Sequence, residues 1–414
     1  MRFCMITTFY PPANFGGDGI FVQSLARALA ARGHEVTVIH CADSYRTNAG
    51  VHAPHAPHAR SEPGIEIIRL QSPFGRLSPT LTQQSGYPLL KRSTLRAVLQ
   101  RRFDVVNYHN ISLVGGPGIL SMPAADAIKI YTLHDHWLLC STHVFWKNKQ
   151  HRCDTQSCLT CCVRSGVPPQ AWRLGTFRDR CLAQVDAILA PSHFTANLHR
   201  QHHITGEMEV LPLFSRLKVA ENSATASFGL PTPSAPARFI YVGRLIMAKG
   251  IAELVADVAA SSHHLDVIGD GELLAPLRAR YADCKRIRFL GRLDDDALVN
   301  AYRAARAIIM PSLAPESFGL SVVEAMAFGV PAIVRDSGGC AEIVRSSAVG
   351  FVYTTRAQLH DYMDALASAE VPDRQLAARA RDRYAAHYSE ERYIKAYFAL
   401  VERLRAARSM RVIA

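Results

Sequence analysis

Short apolar runs alternate along nearly the whole chain with stretches whose apolar residues recur every three or four positions. The runs predict buried parallel strands, and the stretches predict helices covering both faces of a sheet. In the first half the strand-like runs are 2–8, 35–40, 66–70, 105–108, 128–133, 187–190 and 209–211. The second half repeats the pattern at 238–242, 265–268, 287–290, 307–310, 332–334 and 350–352. Two doubly wound α/β domains are therefore expected. Residues 221–237, rich in Ser, Ala, Pro and Thr, follow neither period. This places a linker at 216–237, between an N-terminal domain of 1–215 and a C-terminal domain of 238–389. The closing segment, 390–414, has a helical period and a basic end, and is expected to pack back on the N-terminal domain.

Composition narrows the class. A chain of 414 residues, 49% apolar and 20% charged, suits two globular domains and excludes a fibrous repeat or a largely disordered protein. No apolar run reaches the ~18 residues of a spanning helix, and the first apolar run is too short for a signal peptide. The expected location is the cytoplasm, with any membrane contact peripheral at its inner face. Ten cysteines fit a reducing compartment. A formal charge of +12 favours anionic partners. Nucleic acid is not expected among them, because no aromatic-basic recognition motif or zinc-finger repeat is present. Residues 87–103 set five Lys and Arg among leucines and a valine, as a basic amphipathic helix does. Such a helix either lies on an anionic bilayer or presents a solvated face.

Several segments of the first half carry candidate chemistry. After the first strand, Gly16-Gly17-Asp18-Gly19 opens a helix with apolar residues Phe21, Leu25, Ala28 and Leu29. Gly16 and Gly17 either offer N–H groups to a phosphate or only make a tight turn. The spacing is not G-x-G-x-x-G, which disfavours a nicotinamide or flavin cofactor. The fifth strand ends in His134-Asp135, and the strand before it in His109. In an open parallel sheet those carboxyl ends face ligand. His134 is the leading catalytic candidate, with Asp135 fixing its tautomer or contacting the acceptor; capping a helix is the alternative. Cys140, Cys153, Cys158 and Cys161 could clamp a structural zinc, or simply pack a loop. His52, His55 and His58 lie in a proline-rich stretch that suits a loop better than a metal site.

The second half carries denser chemistry. Arg244 and Lys249 follow one strand end, a fork and a point charge suited to a diphosphate. Gly269-Asp270-Gly271 follows the next strand, a turn small enough for a nucleoside to approach backbone. Then Glu316 and Glu324 stand eight residues apart across a strand-to-helix junction. With Glu324 expected about two turns into the helix, they would meet opposite ends of one ligand. The N–H groups of Phe318, Gly319 and Leu320 would point at its phosphates.

This Glu-x7-Glu arrangement, with Arg244 and Lys249 upstream, resembles the family 4 retaining glycosyltransferases of the GT-B fold, glycosyl transferases group 1. The likeness extends over nearly the whole chain. It implies two Rossmann-like domains facing each other across a cleft, with donor in the C-terminal domain and acceptor in the N-terminal one. It also implies that Glu316 bonds hydroxyls of the donor sugar, Glu324 the ribose, and Arg244 and Lys249 the diphosphate. Gly17 would meet phosphate, and His134 would stand beside the reacting carbon. Residues 336–343 resemble the family's Gly-Gly turn, with Cys340 where a small or aliphatic residue is usual.

The implied activity is retaining transfer of a sugar from a nucleotide-diphosphate sugar to an acceptor, a sugar or a lipid-linked precursor. No divalent ion is essential, and zinc, if bound, would be structural. A non-hydrolysing sugar-nucleotide epimerase can share the architecture, and a nucleic-acid-binding protein is the non-enzymatic alternative suggested by charge.

Overall fold

The computed structural model describes residues 1–49, 61–124, 126–217, 237–368 and 374–413. The His52, His55 and His58 stretch and most of the linker lie outside the described residues. The chain divides into two compact units. Unit 1 comprises Met1–His143, Gln156–Arg216 and Tyr393–Ala414; unit 2 comprises Val144–Thr155 and Leu217–Arg392. One assignment changes: Val144–Thr155, expected in the N-terminal domain, folds with unit 2.

In unit 1 the strands are β1 (Arg2–Ile6), β2 (Glu35–Cys41), β3 (Ile65–Leu70), β4 (Val105–Tyr108), β5 (Ile128–Thr132), β8 (Ala187–Ala190) and β9 (Met208–Val210). Between β5 and β8 the chain forms the short strands β6 (Trp146–Lys147) and β7 (His151–Arg152) of unit 2. The seven-stranded sheet runs β3-β2-β1-β4-β5-β8-β9 with every pairing parallel. Both faces of β1 and β4 are buried, so their sequences read as apolar runs instead of alternating. The helix Gly17–Ala30 buries Phe21, Val22, Leu25, Ala26, Ala28 and Leu29.

Unit 2 repeats the plan with β10 (Arg238–Val242), β11 (His264–Ile268), β12 (Ile287–Gly291), β13 (Ala307–Met310), β14 (Ala332–Arg335) and β15 (Gly350–Tyr353). Its six strands run β12-β11-β10-β13-β14-β15, again all parallel. Strand order reverses at β1/β4 in unit 1 and at β10/β13 in unit 2. Beyond the carboxyl ends of such reversals adjacent loops diverge and leave a crevice.

The helix Glu390–Ile413 joins unit 1 from Tyr393 onward. It buries Tyr393, Tyr397, Leu400, Val401 and Leu404. Its basic end is consumed by ion pairs, Arg405 with Asp104, Arg408 with Asp186, and Arg403 with Glu207 and Glu209. The basic amphipathic helix expected over 87–103 is shorter, a 3-10 turn at Leu89–Lys91 followed by a helix at Arg92–Leu99. Lys91 points inward, donating to Cys41 Sγ at 2.9 Å, and Arg101 pairs with Glu66. Arg92 and Arg96 stay exposed.

Candidate active site

The strongest charge arrangement lies at the β10/β13 reversal of unit 2. Lys249 closes a 3-10 turn, Met247–Lys249, after β10. Glu316 follows β13. Lys249 Nζ donates to both Glu316 oxygens, at 2.5 and 2.7 Å. Ser312 Oγ donates to Glu316 Oε1 as well. Burial alone would raise the Glu316 carboxyl, but the Lys249 ammonium, the bonds from Lys249 and Ser312, and the charge of Arg244 outweigh it and hold the pKa below the usual value. Glu316 is thus a fixed carboxylate acceptor at neutral pH and not a proton donor.

The backbone around Glu316 is pinned by the Gly-Gly turn after β14. Gly339 N donates to Glu316 O at 2.7 Å, and Glu316 bridges Gly338 in parallel fashion. Gly338 has φ +77, and a Cβ there would lie 2.4 Å from Glu316 O, so only glycine lets the two loops meet. Cys340 is buried, and desolvation pushes its thiol pKa well up. It packs as a small apolar group.

Glu324 sits in the helix Leu320–Ala327. That is four residues from the helix start, about one turn and not two. It is 6% exposed and accepts from Tyr302 Oη at 2.9 Å. The N–H groups of Phe318, Gly319 and Leu320 donate to no acceptor among the described residues, which leaves the positive end of the helix dipole available. Arg244 is exposed, and its guanidinium has no hydrogen bond or ion pair among the described residues. The loop after β11 has a packing requirement for its glycines. A Cβ at Gly269 would lie 1.9 Å from Gly243 O, and one at Gly271 2.5 Å from Leu245 O. Contact with the loop after β10 alone therefore requires these glycines.

In unit 1, the carboxyl ends of β4 and β5 bring His109 and His134 together, Nδ1 to Nε2 at 2.9 Å. Burial lowers the pKa of His134, with Asp18 and Asp135 opposing. It lowers that of His109 further, with His134 adding to the effect. Both imidazoles are neutral, so one ring donates and the other accepts. His134 Nε2 thus meets His109 Nδ1 across the two strand ends. Asp135 instead accepts from His143 Nδ1 at 2.7 Å and from Trp137 N at 2.8 Å. Burial raises its pKa, but His143 and the Trp137 N–H bring it to about 2. Asn110 Nδ2 donates to Asp18 Oδ2 at 2.9 Å, tying the β4 end to the first turn of the helix Gly17–Ala30.

Gly16 precedes that helix in extended backbone and Gly17 begins it. Gly19 has the tightest surroundings in this turn, a Cβ there falling 2.5 Å from Asn14 Oδ1 and 2.7 Å from Phe9 O. The four candidate cysteines are divided between the units. Cys153 belongs to unit 2, whereas Cys140, Cys158 and Cys161 belong to unit 1. No group of three or more His, Cys, Asp or Glu among the described residues converges to hold a metal. Cys158 is exposed, and partial desolvation raises its pKa, with Cys140 adding to the effect and Arg173 opposing.

Sequence reasoning missed Ser312 and Tyr302. Ser312 follows β13, and Tyr302 lies in the helix Asp295–Ala304, neither with a sequence signal of its own.

Comparison with known proteins gives the same picture. A family model described as Glycosyl transferases group 1 matches residues 223–383, and one described as Glycosyltransferase Family 4 matches residues 15–214. A D-inositol 3-phosphate glycosyltransferase of Mycolicibacterium smegmatis is 32% identical over 417 residues, covering 94% of this chain and 86% of that protein. A glycogen synthase of Mycobacterium tuberculosis is 27% identical over 371 residues, covering 84% and 81%. Among solved structures, a sucrose-phosphate synthase from Thermosynechococcus elongatus superposes with a TM-score of 0.73 at 21% identity, covering 98% and 100% of the two chains. An Anabaena protein, HepE, in complex with UDP-glucose gives 0.62 at 18% identity, covering 99% and 100%. With both halves matched and a relative aligned over most of its length, the chain belongs to the GT-B glycosyltransferases of family 4 and group 1.

Proposed function

We propose that unit 2 takes a nucleoside-diphosphate sugar and that the sugar passes, with retention of anomeric configuration, to an acceptor hydroxyl bound by unit 1. The carrying observation is the Lys249–Glu316–Ser312 node. Two of the three Lys249 N–H groups go to Glu316, and the third can reach a phosphate oxygen. One side chain thereby fixes the carboxylate that accepts from sugar hydroxyls and meets the charge of the leaving group. Arg244 and the N–H groups of residues 318–320 supply the remaining positive potential. Glu324, oriented by Tyr302, accepts from the ribose.

In the reaction the bond from the anomeric carbon to the β-phosphate oxygen breaks. The acceptor oxygen bonds to that carbon on the same face, and its proton passes to the leaving phosphate. A protein nucleophile is not required, and the cationic groups replace a divalent ion. The likeness to a D-inositol 3-phosphate glycosyltransferase and a glycogen synthase supports a sugar or glycoconjugate acceptor.

A peripheral place on the inner membrane face is supported by exposed Phe74, Leu77, Tyr87 and Leu89. Arg76, Arg92 and Arg96 are exposed in the same stretch of chain. Among the described residues no helix is long and apolar enough to cross a membrane. Salt-reversible sedimentation with anionic vesicles checks this placement.

The test of the main reading is a thermal-shift screen of sugar nucleotides in EDTA, followed by NMR of the transfer product. A stabilising donor whose sugar reappears on acceptor with its original anomeric configuration is the expected result. Epimerised donor without acceptor, or an inverted product, would overturn it.

A further inference from the structure

The chain leaves unit 1 after His143, forms the β6–β7 hairpin within unit 2, and re-enters unit 1 at Gln156. Lys147 Nζ donates to Thr155 O at 2.8 Å, closing the hairpin on itself. Asn148 and Lys149 take consecutive left-handed conformations, φ 56 and 60, at its turn, the backbone sense that matches strand twist. The result is a short, stiff element with Trp146 on one strand.

Trp146 forms a buried apolar cluster with Ala248 and Ala314, and Val144, Ile246 and Leu313 pack around it. Both alanines belong to the donor node. Ala248 precedes Lys249, and Ala314 stands two residues before Glu316. The two loops are joined at this point, because Leu313 N and Ala314 N both donate to Ala248 O at 3.0 Å. Methyl side chains at 248 and 314 supply little bulk, and the indole provides the mass that backs the junction. Trp146 is 8% exposed, and its Nε1 has no hydrogen-bond partner among the described residues, so the ring is held by packing.

We propose that Trp146 is a positioning residue for the donor site. Its indole holds the 248 and 314 loops at the spacing at which Lys249 reaches Glu316. This rests on the reading of that pair as the diphosphate and sugar contacts. Since reacting groups displaced by an ångström lose large factors in binding and rate, loss of the ring costs function without touching ligand. Because the indole N–H bonds nothing, phenylalanine restores most of what alanine loses.

The test titrates UDP, ADP and GDP into wild type, W146A and W146F by calorimetry, with melting temperatures measured without nucleotide and tryptophan emission recorded in parallel. The diphosphate that binds wild type best is expected to bind W146A about tenfold more weakly or worse and W146F within about threefold, with melting temperatures close to wild type. Trp137 and Trp172 lie in unit 1, so nucleotide-dependent emission is expected in wild type and absent in W146F. Equal affinity in W146A, equal losses in W146A and W146F, or an emission change persisting in W146F would overturn the inference while the donor reading stands. So would a W146A loss accompanied by a large fall in melting temperature. Failure of all three diphosphates to bind wild type would overturn the donor reading, and this inference with it.

Discussion

The two strand-order reversals of this protein present opposite electrostatic solutions. In unit 2, a half-buried carboxylate is kept ionised by a lysine and a serine bonded to it, with an exposed arginine adding positive field. In unit 1, two histidines at the corresponding edge are kept neutral by burial and bond each other. Parallel sheets of the same plan thus carry a charged cluster at one reversal and an uncharged donor–acceptor pair at the other. A departing diphosphate needs fixed cations, whereas an acceptor hydroxyl needs hydrogen bonds that do not compete with the leaving group for its proton.

Breaking the charged cradle carries the largest expected effect. Lys249→Ala leaves Glu316 without its ammonium and, on the proposed reading, removes a cation from the leaving group, so turnover is expected to fall by about a hundredfold or more. Near-normal kcat in a folded, purified variant would remove Lys249 from the mechanism. Breaking the neutral pair costs less. His134→Ala is expected to lower kcat/KM by about ten- to a hundredfold, while calorimetric affinity for the nucleotide stays within about twofold. A parallel loss of nucleotide affinity would mean that the two sites are not separable in this way.

Acid separates the two regions by where each titrates. The buried imidazoles resist protonation in the folded protein, whereas the unfolded chain takes up those protons near pH ~6.5. Their lowered folded-state pKa therefore makes stability decline as pH falls below ~6.5. Glu316, with its pKa held low, adds stability that is present above the ordinary carboxylate pKa and lost only as pH falls through the depressed value. Melting temperatures across pH 4 to 8 should decline first in the histidine range, and His109→Phe should flatten that first phase. An unchanged first phase would assign it to other groups. The smallest effect is reserved for Tyr302→Phe, which removes one bond to Glu324 at a cost of about 1–2 kcal/mol. A rise in donor KM with kcat nearly constant is expected, and a fall in kcat alone would contradict the ribose role of Glu324.

The strands were legible because parallel strands buried on both faces must be apolar throughout; each of the thirteen runs read from sequence corresponds to a strand of the two sheets. The β6–β7 hairpin was not legible. Its strands have two residues each, too short to show a period, and Trp146 packs against Ile246, Ala248, Leu313 and Ala314, all far downstream. Arg244, Lys249 and Glu316 could be found because charged residues at strand ends carry meaning in an open sheet. The partner of Asp135 could not, since His143 reaches it through a turn that includes a left-handed backbone conformation at His143 itself. Lys91 misled for a related reason. A lysine in a basic stretch reads as solvated, yet tertiary packing turned this one inward to a thiol.

The central claim is that Lys249 serves a carboxylate and a diphosphate together. It is tested most directly by calorimetry of the best-binding nucleoside diphosphate and its monophosphate on wild type and Lys249→Ala. The account predicts that wild type prefers the diphosphate by about tenfold or more and that the variant loses most of this preference. A variant that retains the wild-type preference would contradict it.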